Sequence, residues 1–240
     1  MKTAVISAGV WGVAGIRREV DLEEDSRSER VLEPSTGWNP ERFERDQIRG
    51  LVLQAFSPRM SPPVQQLLFS AVEPETDVLG ICERVGETLA TETSADVLVV
   101  TGKGSLVHGS GPVCRPESVA YPTQGRSMRE SATRLRRNLW LAPPRETGED
   151  DVGTASVRAY LEEVRREFEY SIVAAPAAGE SNEALAMAQF ADGIILVLSA
   201  KHTRRENARR IIDLLTQVRL LGTVLADREF PMPEGIYRRL

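Results

Sequence analysis

Between Glu169 and Asp227 the chain alternates apolar runs with amphipathic segments without interruption, and this alternation limits the folds open to it. Tyr170 to Ala175 is a short apolar run stopped by Pro176, with Ala177, Ala178 and Gly179 next, which reads as a strand ending in a tight loop. Glu183 to Phe190 is an Ala-rich helix candidate. Ile194 to Leu198 is five aliphatic residues in a row, the pattern of a strand covered on both faces. From Arg204 to Arg219, Ala208, Ile211, Ile212, Leu215 and Val218 recur at helical spacing, and Leu220 to Leu225 returns to an apolar run. Strands alternating with amphipathic helices specify an α/β unit with a mainly parallel sheet, a three-layer sandwich.

The upstream half repeats the pattern more loosely. A helix is expected from near Pro40 to Ser57, with Ile48, Leu51, Val52, Ala55 and Phe56 on its apolar face. Gln66 to Val72 reads as the first internal strand. The loop Glu73-Pro74-Glu75-Thr76 leads into a helix over about Asp77 to Thr91, its first turn capped by Thr76 or Asp77. Ala95 to Val100 is another strand, ended by Gly102-Lys103-Gly104. Strand, loop, helix, strand is the opening of a mononucleotide-binding unit.

Two stretches lack this order. Residues 1–42 read as a charge-rich, flexible arm, because Asp21 to Glu33 is mostly charged and Pro34 to Pro40 is turn-forming; residues 43–240 form the domain. Ser7-Ala8-Gly9-Val10-Trp11-Gly12 imitates a dinucleotide fingerprint, but serine holds the first glycine position and no second apolar strand follows. Residues 105–153 read as a long irregular insertion punctuated by Gly and Pro, with Asn138 to Leu141 as its one buried strand and Arg134, Arg136 and Arg137 as a solvated basic cluster.

Composition narrows the function. A net charge of −5 argues against a nucleic-acid partner or a membrane-surface binder. No apolar run reaches the roughly 18 to 20 residues of a membrane span, so direct membrane insertion is not expected. Cys82 and Cys114 have no metal-ligand spacing and read as reduced structural thiols, and His108 and His202 lie in separate segments. No metal site and no catalytic constellation is expected.

The motifs Phe168-Glu169-Tyr170-Ser171-Ile172-Val173-Ala174-Ala175-Pro176, Ala191 to Val197, Thr203-Arg204-Arg205 and Leu221-Gly222-Thr223-Val224-Leu225 resemble the C-terminal half of the bacterial tyrosine autokinases of capsule and exopolysaccharide synthesis. Those are P-loop NTPases of the deviant-Walker type, related to MinD and ParA. The resemblance runs over roughly residues 45 to 240. It implies that Asp46 and Arg49 occupy the first two charged positions of a helix that packs subunits into a ring. Val52 stands where a second Arg would be, which puts a homo-oligomeric ring in question.

The same resemblance exposes departures. A P-loop needs glycines, a Lys for the β and γ phosphates and a Ser or Thr for Mg²⁺. The equivalent stretch here is Glu73, Pro74, Glu75, Thr76 and Asp77, with three carboxylates and neither Gly nor Lys. Lysine occurs only at Lys2, Lys103 and Lys201, so Lys103 and Lys201 are the candidates for a displaced phosphate contact. Val97 holds the upstream glycine position in the case of Gly102-Lys103-Gly104-Ser105. The Walker B Asp position falls on Ala174, and the tail keeps only Tyr237 where the autokinases carry a tyrosine cluster. Thr203 and Glu206 read as a capping box.

The expectation is a catalytically degenerate P-loop NTPase-like protein, a regulatory or scaffold subunit in exopolysaccharide production. No cofactor is expected, ATP and Mg²⁺ entering only if the site is not degenerate. The protein would be cytoplasmic, reaching the membrane through a protein partner such as a polysaccharide polymerase or chain-length regulator, with Asp46, Arg49 and Tyr237 as interaction residues. Two alternatives stay open: an active tyrosine kinase or ATPase with a nonstandard nucleotide site, and a MinD- or ParA-like positioning protein.

Overall fold

A computed structural model describes residues 8–9, 40–57, 60–101, 127–143 and 154–227. The elements in chain order are β1 (Ala8–Gly9), α1 (Pro40–Ala55), β2 (Gln66–Ala71), α2 (Val78–Glu92), β3 (Val97–Val100), the single-turn α3 (Met128–Ser131), β4 (Thr133–Arg136) and β5 (Leu139–Ala142). The second half adds α4 (Thr154–Glu167), β6 (Tyr170–Ala174), α5 (Asn182–Ala188), β7 (Gly193–Ser199), α6 (Arg205–Leu214) and β8 (Leu220–Ala226). The strands form one sheet in the order β1-β8-β7-β2-β6-β3-β5-β4. β1 and β4 run antiparallel at the two edges, and every other pairing is parallel.

The alternation of side chains along each strand divides the core into two layers. Leu67, Phe69, Ala71, Val97, Val99, Ile172, Ala174, Ile195 and Val197 pack under α1 and α2. Leu68, Val72, Leu98, Val100, Val173, Ile194 and Leu196 pack under α4, α5 and α6. Both faces of the central strands are therefore covered, which is why β2 and β3 are buried along their whole length and β3 is apolar throughout. Burying one large side chain such as Phe69 contributes about 2 kcal/mol.

α1 turns Ile48, Leu51, Val52 and Ala55 inward, the face its spacing requires. Asp77 caps α2 by accepting the Gly80 N–H at 2.9 Å, and a Cβ at Gly80 would collide with that carboxylate. Within 105–153, residues 128–142 are regular. The Glu167 carboxylate accepts the N–H groups of Met128 and Arg129, which anchors α3, and β4 then folds back on β5. Arg134 lies over the Trp140 ring and donates to the carbonyls of Arg136 and Arg137, closing the hairpin turn.

α6 is shorter than its apolar spacing suggests: it stops at Leu214 and tightens into a 3-10 turn, Leu215–Gln217, which buries Leu215. The capping box at Thr203 and Glu206 does not form. Arg204 holds the N-cap position with no side-chain cap, and the Thr203 hydroxyl has two other partners described below. Among the described residues no helix is long and apolar enough to cross a membrane.

Candidate functional site

β2 and β7 are parallel neighbours whose connections leave in opposite directions. α2 carries the chain from β2 toward β3 on one side, and α6 carries it from β7 to β8 on the other. Open α/β sheets bind ligands in the crevice beyond the carboxyl ends of two such strands. The loop 72–77 after β2 and the turn 200–204 after β7 border that crevice.

These two segments are joined. Thr203 Oγ1 accepts the Ser199 N–H at 2.8 Å and donates its own proton to Glu73 Oε2. The other oxygen of Glu73 is buried without a hydrogen-bond partner among the described residues. Ser199 Oγ in turn donates to Asp227 Oδ2 at 2.9 Å, at a residue with φ of 55°, in the left-handed region. A third segment closes from the β6 side: Ser70 Oγ donates to the Pro176 carbonyl at 2.6 Å, and the Ala178 N–H donates to Ala71 O at 2.8 Å. A Cβ at Gly179 would overlap the Val72 carbonyl oxygen, so the backbones of 72 and 179 lie in direct contact.

The sequence-predicted site residues fall as follows. Pro74, Glu75 and Asp77 are exposed, Glu73 is half-buried, and Thr76 is 7% exposed with a hydroxyl that has no hydrogen-bond partner among the described residues. Ala174 is buried at the end of β6 in the core layer shared with α1 and α2, and the next N–H, of Ala175, donates to Phe69 O at 2.8 Å. At the end of β3 the Thr101 hydroxyl donates to the Ala142 carbonyl at 3.2 Å. Asp46 is exposed on α1, while Arg49 pairs with Glu92 on α2 at 2.8 Å. Lys103 and Tyr237 lie outside the described residues. Among the described residues no group of His, Cys, Asp and Glu side chains is arranged to hold a metal ion.

Carboxylates also set the electrostatics of α2. Burial, then Asp77 and Glu87, push the Glu83 carboxyl above its ordinary range. Burial, with Asp77 and Glu83 adding to it, pushes the Cys82 thiol up as well, which keeps it protonated and inert.

Comparison with solved structures decides the fold. The kinase domain of the Escherichia coli tyrosine kinase Etk superposes with a TM-score of 0.67 at 12% identity, covering 88% of this chain and 85% of that one. The fold is that of the bacterial tyrosine kinase domains. The VpsO kinase domain is similar at a TM-score of 0.58 and 15% identity, over 77% of this chain and 96% of its own. MinD from Aquifex aeolicus follows at 0.52 and 17%, over 67% and 68%. No protein-family model and no curated protein sequence matches the chain.

On this fold, loop 72–77 occupies the strand-to-helix connection after β2, and Ala174 ends the neighbouring strand. Thr203, Ser199 and Asp227 are the site residues that sequence reasoning missed. Thr203 offers a local capping pattern that hides its long-range partner, and no local signal marks Ser199 or Asp227 at all.

Proposed function

We propose that this protein is a catalytically degenerate P-loop NTPase-like subunit that regulates or scaffolds exopolysaccharide or capsule production. It would act on the cytoplasmic side through a protein partner at the membrane. The observation that carries the reading is the Glu73–Thr203 hydrogen bond across the crevice between β2 and β7. It sets a carboxylate, tied to the opposite wall, in the connection where a P-loop presents amides to phosphate.

The surrounding chemistry supports it. Residues 72–77, Val-Glu-Pro-Glu-Thr-Asp, contain neither Gly nor Lys, and their carboxylates carry the charge that repels a triphosphate. Ala174 supplies no ligand atom for Mg²⁺, and its side chain is enclosed by apolar neighbours. The residues present therefore do not fit Mg-ATP. The kinship to polysaccharide synthesis rests on the motifs of residues 168–225 and on the shared fold with tyrosine kinase domains.

Calorimetric titration of the purified chain with ATP and ADP, with and without Mg²⁺, tests the reading. The expected result is no heat and no thermal shift up to high nucleotide concentration. Mg²⁺-dependent binding overturns it, and loss of that binding in Lys103→Ala would identify a rebuilt phosphate site and revive the kinase alternative.

A further inference from the structure

The strongest charge feature outside the crevice floor is the segment 201–210, the β7–α6 turn and most of α6. It carries Lys201, Arg204, Arg205, Arg209 and Arg210 against one carboxylate, Glu206, in a chain whose net charge is −5. All four arginines are exposed, and none has an ion-pair partner among the described residues. Stability does not call for this arrangement. Arg204 and Arg205 stand at the helix N-terminus, where the backbone dipole disfavours cations, and Arg205 and Arg209 are a like-charge pair one turn apart.

We propose that this basic face of α6 is a docking surface for a short acidic segment of a partner protein. The shape of the charge decides among polyanions. Thr203, in the middle of the basic turn, is hydrogen-bonded to Glu73, which brings the loop bearing the exposed Glu75 and Asp77 beside the patch. Farther along α6, Asp213 bounds it at the other end. A flat anionic bilayer or a continuous phosphate backbone pressed onto the turn would also meet those carboxylates, and the chain's net negative charge would oppose its approach. Arg205 and Arg209 lie one helical turn apart, a span that a peptide of a few residues covers without reaching loop 72–77 or Asp213. Guanidinium groups pair carboxylates in bidentate geometry, and exposed partners of this kind set recognition and association rate. This inference names the chemistry of the partner that the scaffold reading calls for and rests on that reading only to that extent.

The experiment is fluorescence anisotropy of a short labelled peptide of alternating Asp and Glu, titrated with the full chain at low and physiological salt. Phosphatidylglycerol vesicles, a single-stranded oligonucleotide and Mg-ATP are run in parallel. Peptide binding that weakens about tenfold in Arg204→Glu/Arg205→Glu, and about threefold in Arg204→Gln/Arg205→Gln, supports the inference. The exposed Arg166→Glu on α4 should leave the affinity unchanged, and circular dichroism with a thermal melt verifies that each variant is folded. Absence of peptide binding overturns the inference, as does vesicle or oligonucleotide binding stronger than peptide binding. Displacement of the peptide by Mg-ATP would mark the turn as a phosphate site and overturn it too. Failure of the peptide with no heat from ATP would leave the scaffold reading standing and remove only this surface.

Discussion

The Thr203 hydroxyl donates to the Glu73 carboxylate across 130 positions of sequence, and the same hydroxyl accepts the Ser199 N–H. One oxygen thus couples the end of β7 to the loop that follows β2. Thr203→Val keeps the shape and removes both bonds, so it should lower stability by about 1 to 2 kcal/mol, while Thr203→Ser should retain most of it. Urea denaturation measures both. In a double-mutant cycle with Glu73→Ala the coupling should be about 1 kcal/mol, and strict additivity would show that the bond contributes nothing.

Much of this architecture is written in local pattern. The apolar runs of β3 and β7 follow from a sheet covered on both faces, and the inward faces of α1 and α2 follow from helical spacing. β4 was not legible, because Thr133–Arg136 is exposed throughout and its strand character comes from pairing with β5. The end of α6 was not legible either, since Leu215 and Val218 continue the helical spacing while the chain tightens toward β8. The candidate site was half legible. The acids and missing glycines of 72–77 are plain in sequence, but their tie to Thr203 is a tertiary fact. The capping pattern at Thr203 and Glu206 pointed elsewhere.

Gly179 lies against the Val72 carbonyl, and the adjacent Ala178 N–H is bonded to Ala71 O. A methyl group added there meets backbone, which cannot rotate away as a side chain would. Gly179→Ala is expected to cost about 1 to 3 kcal/mol and to shift loop 72–77. A urea midpoint equal to that of the parent would refute the close approach of the two backbones.

Asp192 stands at the opposite end of the central strands, just before β7. Its Oδ2 accepts the N–H groups of Gln65 and Gln66 at 2.9 and 2.8 Å, and its Oδ1 accepts from Arg165 at 2.8 Å. It therefore fixes the entry of β2 against the start of β7. Asp192→Ala strands the amide of Gln66, a residue only 1% exposed, and should destabilise by about 2 kcal/mol. Arg165→Ala removes only the more exposed half of the network and should cost well under 1 kcal/mol. Equal losses in the two variants would mean that the ion pair, and not the amide bonds, holds the strand.

Glu83 gives the pH dependence a definite sign. Burial, then Asp77 and Glu87, raise its folded-state pKa above the ordinary value near 4.5, so the folded protein binds this proton more tightly than the unfolded chain does. Its ionised form is therefore a cost to folding. That cost is full above the folded pKa, shrinks as pH falls through it, and vanishes below the ordinary value, where both states are protonated. Glu83→Gln should accordingly be more stable than the parent at neutral pH, with the gap closing as the solution is acidified. Thermal melts of the two proteins across that range measure it. If the Glu83→Gln variant proved less stable than the parent at neutral pH, the Glu83 carboxylate would be held by a favourable partner, and burial with crowding by Asp77 and Glu87 would not govern it.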